Sequence, residues 1–160
     1  MKDKKSLKRI FNINWVLINE LAIGPAPLKL ENYLSIKNLK IKSILTLCDT
    51  KEFVYNKDMN KLFVHKQFTL PDHKVGRIPD FEEIEKALGL LNELIKYSKP
   101  VFVHCYAAVE RSPLLCMCYL IQKLGITPQD ALEYLMRVNP NTNPLADQLL
   151  LLEKIKNKYS

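Results

Sequence analysis

Short apolar runs and helical stripes take turns along the chain. NWVLI (14–18) and ELAIG (20–24) predict two short strands, ended by Gly24-Pro25. LKLENYLSIKNL (28–39) spaces its apolar residues at near-helical intervals, IKSILTLC (41–48) predicts a buried strand, and KLFVHKQFTL (61–70) contains another. Asp80 opens a helix. Glu83 stands in capping-box relation to it, and Phe81, Ile84, Leu88, Leu91 and Ile95 form one apolar stripe. VFVHC (101–105) is short, apolar and β-branched, as a central strand would be.

SPLLCMCYLIQKL (112–124) follows as a helix, with Pro113 tolerated in its first turn and Gly125 ending it. From Leu114 to Ile121 it has no charged face, which predicts a helix buried in the middle of the fold. Thr127-Pro128-Gln129-Asp130 has the spacing of another helix start. Asn143-Pro144 predicts the start of the last helix, with Leu145, Leu149 and Leu152 facing inward. Strands alternating with helices, then a helical C-terminal part, predict an α/β domain with a mainly parallel sheet.

Composition narrows the picture. A chain of 160 residues suits one domain, expected as a basic N-terminal tail (1–12) and a single domain (13–160). No apolar run reaches the length of a membrane span. MKDKKSLKRIF is basic but lacks the apolar stretch and cleavage site of a secretory signal, so a cytoplasmic location is expected. The net charge of +7 favours anionic partners. However, the dense basic clusters, Lys2 to Arg9 and Lys154 to Lys158, lie at the termini and read as solvated tails. Neither nucleic acid nor a membrane is therefore expected as a partner, and oligomeric state is not legible.

The cysteines are Cys48, Cys105, Cys116 and Cys118. They form no CxxC pair and complete no metal-ligand spacing with the three histidines, so no metal is expected. Cys116 and Cys118 lie in an apolar run and read as buried thiols. Cys48 ends a different strand from Cys105, and separate strands need not bring two sulfurs within bonding range.

Cys105 remains, with Arg111 and Ser112 at the far end of a loop between a central strand and a buried helix. Ligands of such sheets bind beyond the carboxyl ends of the strands. A loop wrapping into a helix N-terminus aims N–H groups at one point and makes an anion site. Arg111 adds a planar fork able to hold two phosphate oxygens. The same field lowers a thiol pKa, which predicts Cys105 as a nucleophilic thiolate beneath a bound phosphate. Ser112 can donate a hydrogen bond to that thiolate. Asp72, in the polar segment LPDHKVGRIPD (70–80), is a candidate proton donor to the leaving oxygen. Pro71-Asp72 is equally a turn pair, and the residues alone leave both readings open.

HCYAAVERS (104–112) matches the HC-x5-R-[ST] signature of cysteine-based protein tyrosine phosphatases, and the layout resembles a compact, bacterial-type dual-specificity phosphatase. NELAIGPAP resembles that family's first hairpin, ILTLCD its next strand, and NPNTNPLADQLLLLE its final helix. The resemblance implies the dual-specificity phosphatase fold, with an N-terminal hairpin on a mainly parallel sheet. It also implies hydrolysis of phosphomonoesters, foremost phosphotyrosine, phosphoserine and phosphothreonine in proteins, through a phosphocysteine intermediate, without cofactor. Cys105 would be nucleophile, Arg111 phosphate clamp, Ser112 the aid to thiolate release and Asp72 acid then base. His104 would brace the loop, and Tyr106, Ala107, Ala108, Val109 and Glu110 would line the substrate site with Arg111.

Two positions depart from the pattern. Ala108 stands where the family usually has glycine, and a positive φ there would strain an alanine. Glu110 stands where small residues are common, and is expected to face outward toward a basic group at the rim. It also counts against polyanionic lipid headgroups. His65 and His73 read as a structural and an exposed loop histidine. A phosphate-binding pseudophosphatase or interaction module is one alternative, although a binder has no need of a nucleophile, and a phosphatase of non-protein substrates is another. A rhodanese-type sulfurtransferase would leave the His-Cys start and Arg-Ser end of the loop without joint purpose.

Overall fold

The computed structural model describes residues 10–160, so residues 1–9 of the expected basic tail lie outside the described residues. Within the rest of that tail, the Phe11 ring lies 6.1 Å from that of Phe102. The strands are β1 (Asn14–Leu17), β2 (Leu21–Gly24), β3 (Ser43–Thr46), β4 (Val64–Gln67) and β5 (Val101–His104). The helices are α1 (Leu30–Asn38), α2 (Phe81–Ser98), α3 (Arg111–Leu124), α4 (Pro128–Val138) and α5 (Ala146–Lys158). Among the described residues the strands form one sheet in the order β1-β2-β5-β3-β4, antiparallel only between β1 and β2. The mainly parallel α/β architecture is as the sequence pattern predicts.

Strand alternation divides the core. Leu21, Ile23, Leu45, Val101 and Val103 face α2, α3 and the helical C-terminal part. Ala22, Ile44 and Phe102 face the other way, onto Tyr33 and Ile36 of α1 and onto Phe53 and Phe63. Gly24 is required at the end of β2, because a Cβ there would lie 2.6 Å from the Asn12 carbonyl oxygen and 2.8 Å from Phe102.

Several helix ends follow their sequence signals. Asp80 accepts the Glu83 amide at 2.8 Å and Glu83 returns the bond at 3.1 Å. Thr127 caps α4 through the Asp130 amide, and Gly125 ends α3 in the left-handed region at φ 66°. The last helix departs from expectation. It starts at Ala146 rather than at Asn143-Pro144, and its buried residues are Gln148, Leu151, Leu152 and Ile155. Leu145 is the N-cap, extended at ψ 150°, with its amide taken by the Gln148 side chain at 2.9 Å, and the Asn143 amide ahead of it donates to the Val109 carbonyl at 2.8 Å. Leu145 and Leu149 are only partly buried.

Register aligns the carboxyl ends of the parallel strands: Gly24 and Thr46 both pair with His104, and Thr46 with Gln67. The segments after β2, β3, β4 and β5 therefore emerge at one edge of the sheet, the usual ligand-binding edge of such folds. Among the described residues, no helix is long and apolar enough to cross a membrane.

Candidate active site

Residues 105–110 join β5 to α3 in a loop whose carbonyl groups are tied outward. Leu47 donates its amide to the His104 carbonyl at 2.9 Å, Ala26 to that of Tyr106 at 3.0 Å, and Asn143 to that of Val109. His104 Nδ1 lies 2.7 Å from the Cys105 carbonyl oxygen, and Asn139 Nδ2 donates to that of Ala108 at 2.9 Å. In a trans peptide the next N–H points opposite the carbonyl. The amides of Tyr106, Ala107, Val109 and Glu110 therefore turn toward the inside of the loop, at the N-terminus of α3. The ring of donors and the positive end of the helix make an anion cradle.

His104 must carry its proton on Nδ1, because a carbonyl only accepts. Its Nε2 then accepts from the Thr46 hydroxyl at 2.8 Å, and Thr46 Oγ accepts from His65 Nε2, also at 2.8 Å. Burial pushes the His65 pKa down to about 4, so its imidazole is neutral near pH 7, and it stacks on Tyr55 at 3.6 Å between ring centres. The histidine ahead of Cys105 is thus held by a relay reaching the edge strand β4.

Cys105 Sγ sits at the base of the cradle, 2% exposed and 3.2 Å from Ser112 Oγ. Arg111, 4% exposed, reaches across to Glu52: Nη1 donates to one carboxylate oxygen at 2.9 Å and Nη2 to the other at 2.8 Å. Nη1 also approaches the Leu70 carbonyl oxygen at 3.4 Å. Burial works against the guanidinium charge, but the hydrogen bonds to Glu52, with Cys105 and Asp72 nearby, outweigh it and hold the pKa above its ordinary value. Asp72 Oδ2 lies 3.9 Å from Arg111 Nη2, so the carboxylate on the 70–80 segment is brought to the same cleft. That cleft, about 500 Å³, is bounded by Cys105, Tyr106, Val109, Arg111, Glu52 and Asp72. The arrangement can hold a tetrahedral oxyanion over a sulfur, with a carboxyl group on the opposite side.

A family model, the catalytic domain of dual specificity phosphatases, matches residues 28–157. The chain belongs to that family. Human dual specificity protein phosphatase 9 is 30% identical over 113 residues, which are 71% of this chain and 28% of that protein. The Arabidopsis thaliana phosphatidylglycerophosphate phosphatase PTPMT2 is 24% identical over 127 residues, 79% of this chain and 55% of the relative. The chain thus spans between about a quarter and half the length of these relatives. Among solved structures, PTPMT1 in complex with PI(5)P superimposes with a TM-score of 0.79 at 19% identity, covering 92% of this chain and 96% of that one. Tk-PTP in its active form gives 0.77 at 19% identity, covering 91% and 97%. At that identity the likeness is one of fold.

The two departures from the pattern of this phosphatase family have distinct consequences. Ala108 adopts φ 57°, the left-handed region, and is buried. That conformation costs a residue with a Cβ roughly 1–2 kcal/mol. Unlike its neighbours in the loop, and against the expectation that it lines the substrate site, Ala108 does not border the cleft, because its carbonyl is turned to Asn139 and its methyl packs into the core. Glu110 is 8% exposed and turns sideways to His73, accepting its backbone N–H at 3.0 Å and its ring Nδ1 at 3.1 Å. His73, an exposed loop histidine as expected, is the basic group that Glu110 meets. Cys48 is buried, and burial, aided by Glu52, pushes its thiol up to about 12.

Glu52, Thr46 and Asn139 were not among the residues singled out in the sequence. A carboxylate in TLCDTKEF, just past the end of a parallel strand, is the signal that could have found Glu52. For Asn139 the signal is the asparagine-rich turn NPNTN. Its amide nitrogen serves both Ala108 O and Thr142 Oγ, and its oxygen accepts from Asn14 at 3.3 Å. Asn139→Ala is expected to lower unfolding stability by about 2 kcal/mol, since it leaves a buried carbonyl without a donor. Urea unfolding measures the loss; an unchanged midpoint would show that the loop is braced elsewhere.

Proposed function

We propose that this chain hydrolyses phosphomonoesters through a phosphocysteine intermediate on Cys105. One observation carries the reading: a single loop holds Cys105 Sγ 3.2 Å from Ser112 Oγ beside an Arg111 fork already fixed by Glu52, with Asp72 facing them. Arg111 Nε, buried and without a hydrogen-bond partner among the described residues, supports an anion as its missing acceptor.

In the first step the Cys105 thiolate attacks phosphorus, an S–P bond forms, and the bond to the ester oxygen breaks. Asp72, protonated, gives its proton to that oxygen. The loop amides and Arg111 hold the charge on the three equatorial oxygens. In the second step water attacks phosphorus, Asp72 takes its proton, and the S–P bond breaks to release phosphate. Ser112 donates a hydrogen bond to the departing thiolate. His104 holds the Cys105 carbonyl outward and performs no proton transfer.

Phosphotyrosine, phosphoserine and phosphothreonine in proteins are the favoured substrates, in keeping with the likeness to a dual specificity protein phosphatase. A second reading, a phospholipid phosphatase, is favoured by relatives named as phosphatidylglycerophosphate phosphatases. The cleft itself argues against multiply phosphorylated headgroups, because Glu52, Asp72 and Glu110 oppose Lys74, His73 and Arg111 around it. Hydrolysis of a phosphopeptide panel beside a phosphatidylglycerophosphate vesicle decides between them.

Asp72→Asn tests the proton step. The variant is expected to lose about a hundredfold in kcat/KM on phenyl phosphate. It should also lose the fall in rate at higher pH that deprotonation of a general acid produces. A variant with wild-type rate and profile would remove Asp72 from the mechanism.

A further inference from the structure

The segment carrying Asp72 is fixed at its ends and free in its middle. Leu70 donates its amide to the Leu47 carbonyl at 2.9 Å, and Asp80 anchors the start of α2. Between these points the backbone bonds are local: Val75 to Asp72 and Gly76 to His73, with Asp72 Oδ1 accepting the Lys74 amide at 3.0 Å. Such bonds shape a turn without attaching it to the rest of the molecule. Side chains attach it: Arg77 pairs with Glu83 of α2, and Asp72 Oδ2 lies 3.9 Å from Arg111 Nη2. Glu110 takes the backbone and the ring nitrogens of His73 with its two carboxylate oxygens, the one of these ties that holds the backbone next to Asp72.

The residue that makes this tie also matters. Glu110 immediately precedes Arg111 and sits at the N-cap of α3, so it belongs to the rigid wall of the phosphate loop. The N–H it accepts is that of the peptide joining Asp72 to His73. Fixing this peptide fixes the Cα of Asp72, and with it the arc its carboxyl can sweep. A carboxylate of a nearly buried residue, accepting two hydrogen bonds, is a strong local constraint.

We propose that Glu110 is a positioning residue that ties the acid-bearing turn to the phosphate loop and thereby sets Asp72 over the leaving oxygen. The proposal rests on the reading of Asp72 as general acid. It gives a purpose to a carboxylate at the lip of an anion site: both of its oxygens are occupied by His73. Without the tie, the turn samples positions in which Asp72 is out of reach, and only proton delivery suffers.

The test uses two esters that differ in their need for a proton. Phenyl phosphate has a poor leaving group, whereas 2,4-dinitrophenyl phosphate leaves unaided. Glu110→Ala is expected to lower kcat/KM on phenyl phosphate by about tenfold or more, and on the dinitrophenyl ester by less than about threefold. Glu110→Gln keeps an acceptor for the His73 amide and should recover much of the loss. It also serves as the informative variant if alanine destabilises the loop. In an Asp72→Asn background, Glu110→Ala should cost nothing further on phenyl phosphate, because the two act through one proton.

Equal losses on both esters, no loss on either, or an additive loss in the double variant would each overturn the positioning role while leaving the phosphatase reading intact. A wild type that hydrolyses neither ester would overturn the phosphatase reading, and the role of Glu110 with it.

Discussion

Cys105→Ser is expected to reduce hydrolysis of a simple aryl phosphate by at least about a thousandfold while leaving binding of phosphate within about threefold of wild type. The change exchanges one atom at the base of the cradle. It leaves untouched the carbonyl ties that turn the amides inward and the Arg111–Glu52 fork. A serine hydroxyl in that position lacks a neighbouring base, since Ser112 offers only another hydroxyl and His104 is committed to the Cys105 carbonyl and Thr46. No other thiol can substitute. Burial raises the pKa of Cys48 to about 12 and pushes up those of Cys116 and Cys118 as well. Stoichiometric alkylation at neutral pH should therefore label one residue and abolish turnover. A Cys105→Ser protein that still hydrolysed the ester at a tenth of the wild-type rate would exclude a phosphocysteine pathway.

What could be read from the sequence was what is local in it. HCYAAVERS holds the proposed nucleophile, clamp and helper within nine residues, and a strand before it with an uncharged helix after it fix their relative placement. Strand alternation and capping residues likewise act over a few positions, so β5, α2 and α4 were legible. The supports of the site were not, because they act across the chain. Glu52 meets Arg111 from 59 residues away, Thr46 meets His104 from 58, and Asn139 meets Ala108 from 31. Each is an ordinary residue until tertiary structure acts: the parallel register brings Thr46 and the segment after it beside His104 and the loop, and Asn139, which ends α4, is brought there by helix packing.

The two departures from the family pattern show the same division. The cost of Ala108 could be stated as a condition on φ, which the fold then met at 57°. That Glu110 would seek a basic group could be argued from charge, but it is buried rather than outward-facing, and its partner, 37 residues back, could not be named. The last helix was misplaced for a related reason. Asn143-Pro144 has the chemistry of a helix start, yet the extended N-cap is Leu145, whose amide is taken by the buried Gln148 side chain, while Asn143 is tied to the loop.

Arg111→Lys is expected to lower kcat/KM on the same aryl phosphate by about a hundred- to a thousandfold, despite keeping the charge. The guanidinium does two things at once: Nη1 and Nη2 grip Glu52, and Nε, on the edge nearer the loop, has no hydrogen-bond partner among the described residues. A planar fork can serve both directions. An ammonium offers one point charge, and beside Glu52 it would be drawn to the carboxylate and away from phosphate. Glu52→Gln separates the two duties. It should retain the orientation of Arg111 through one amide oxygen, cost less than Arg111→Lys, and leave phosphate affinity equal or higher because a competing negative charge is gone. If Arg111→Lys stayed within tenfold of wild type, or Glu52→Gln were the more damaging change, the pair would have to be read as a structural salt bridge, with the amides alone binding the phosphate.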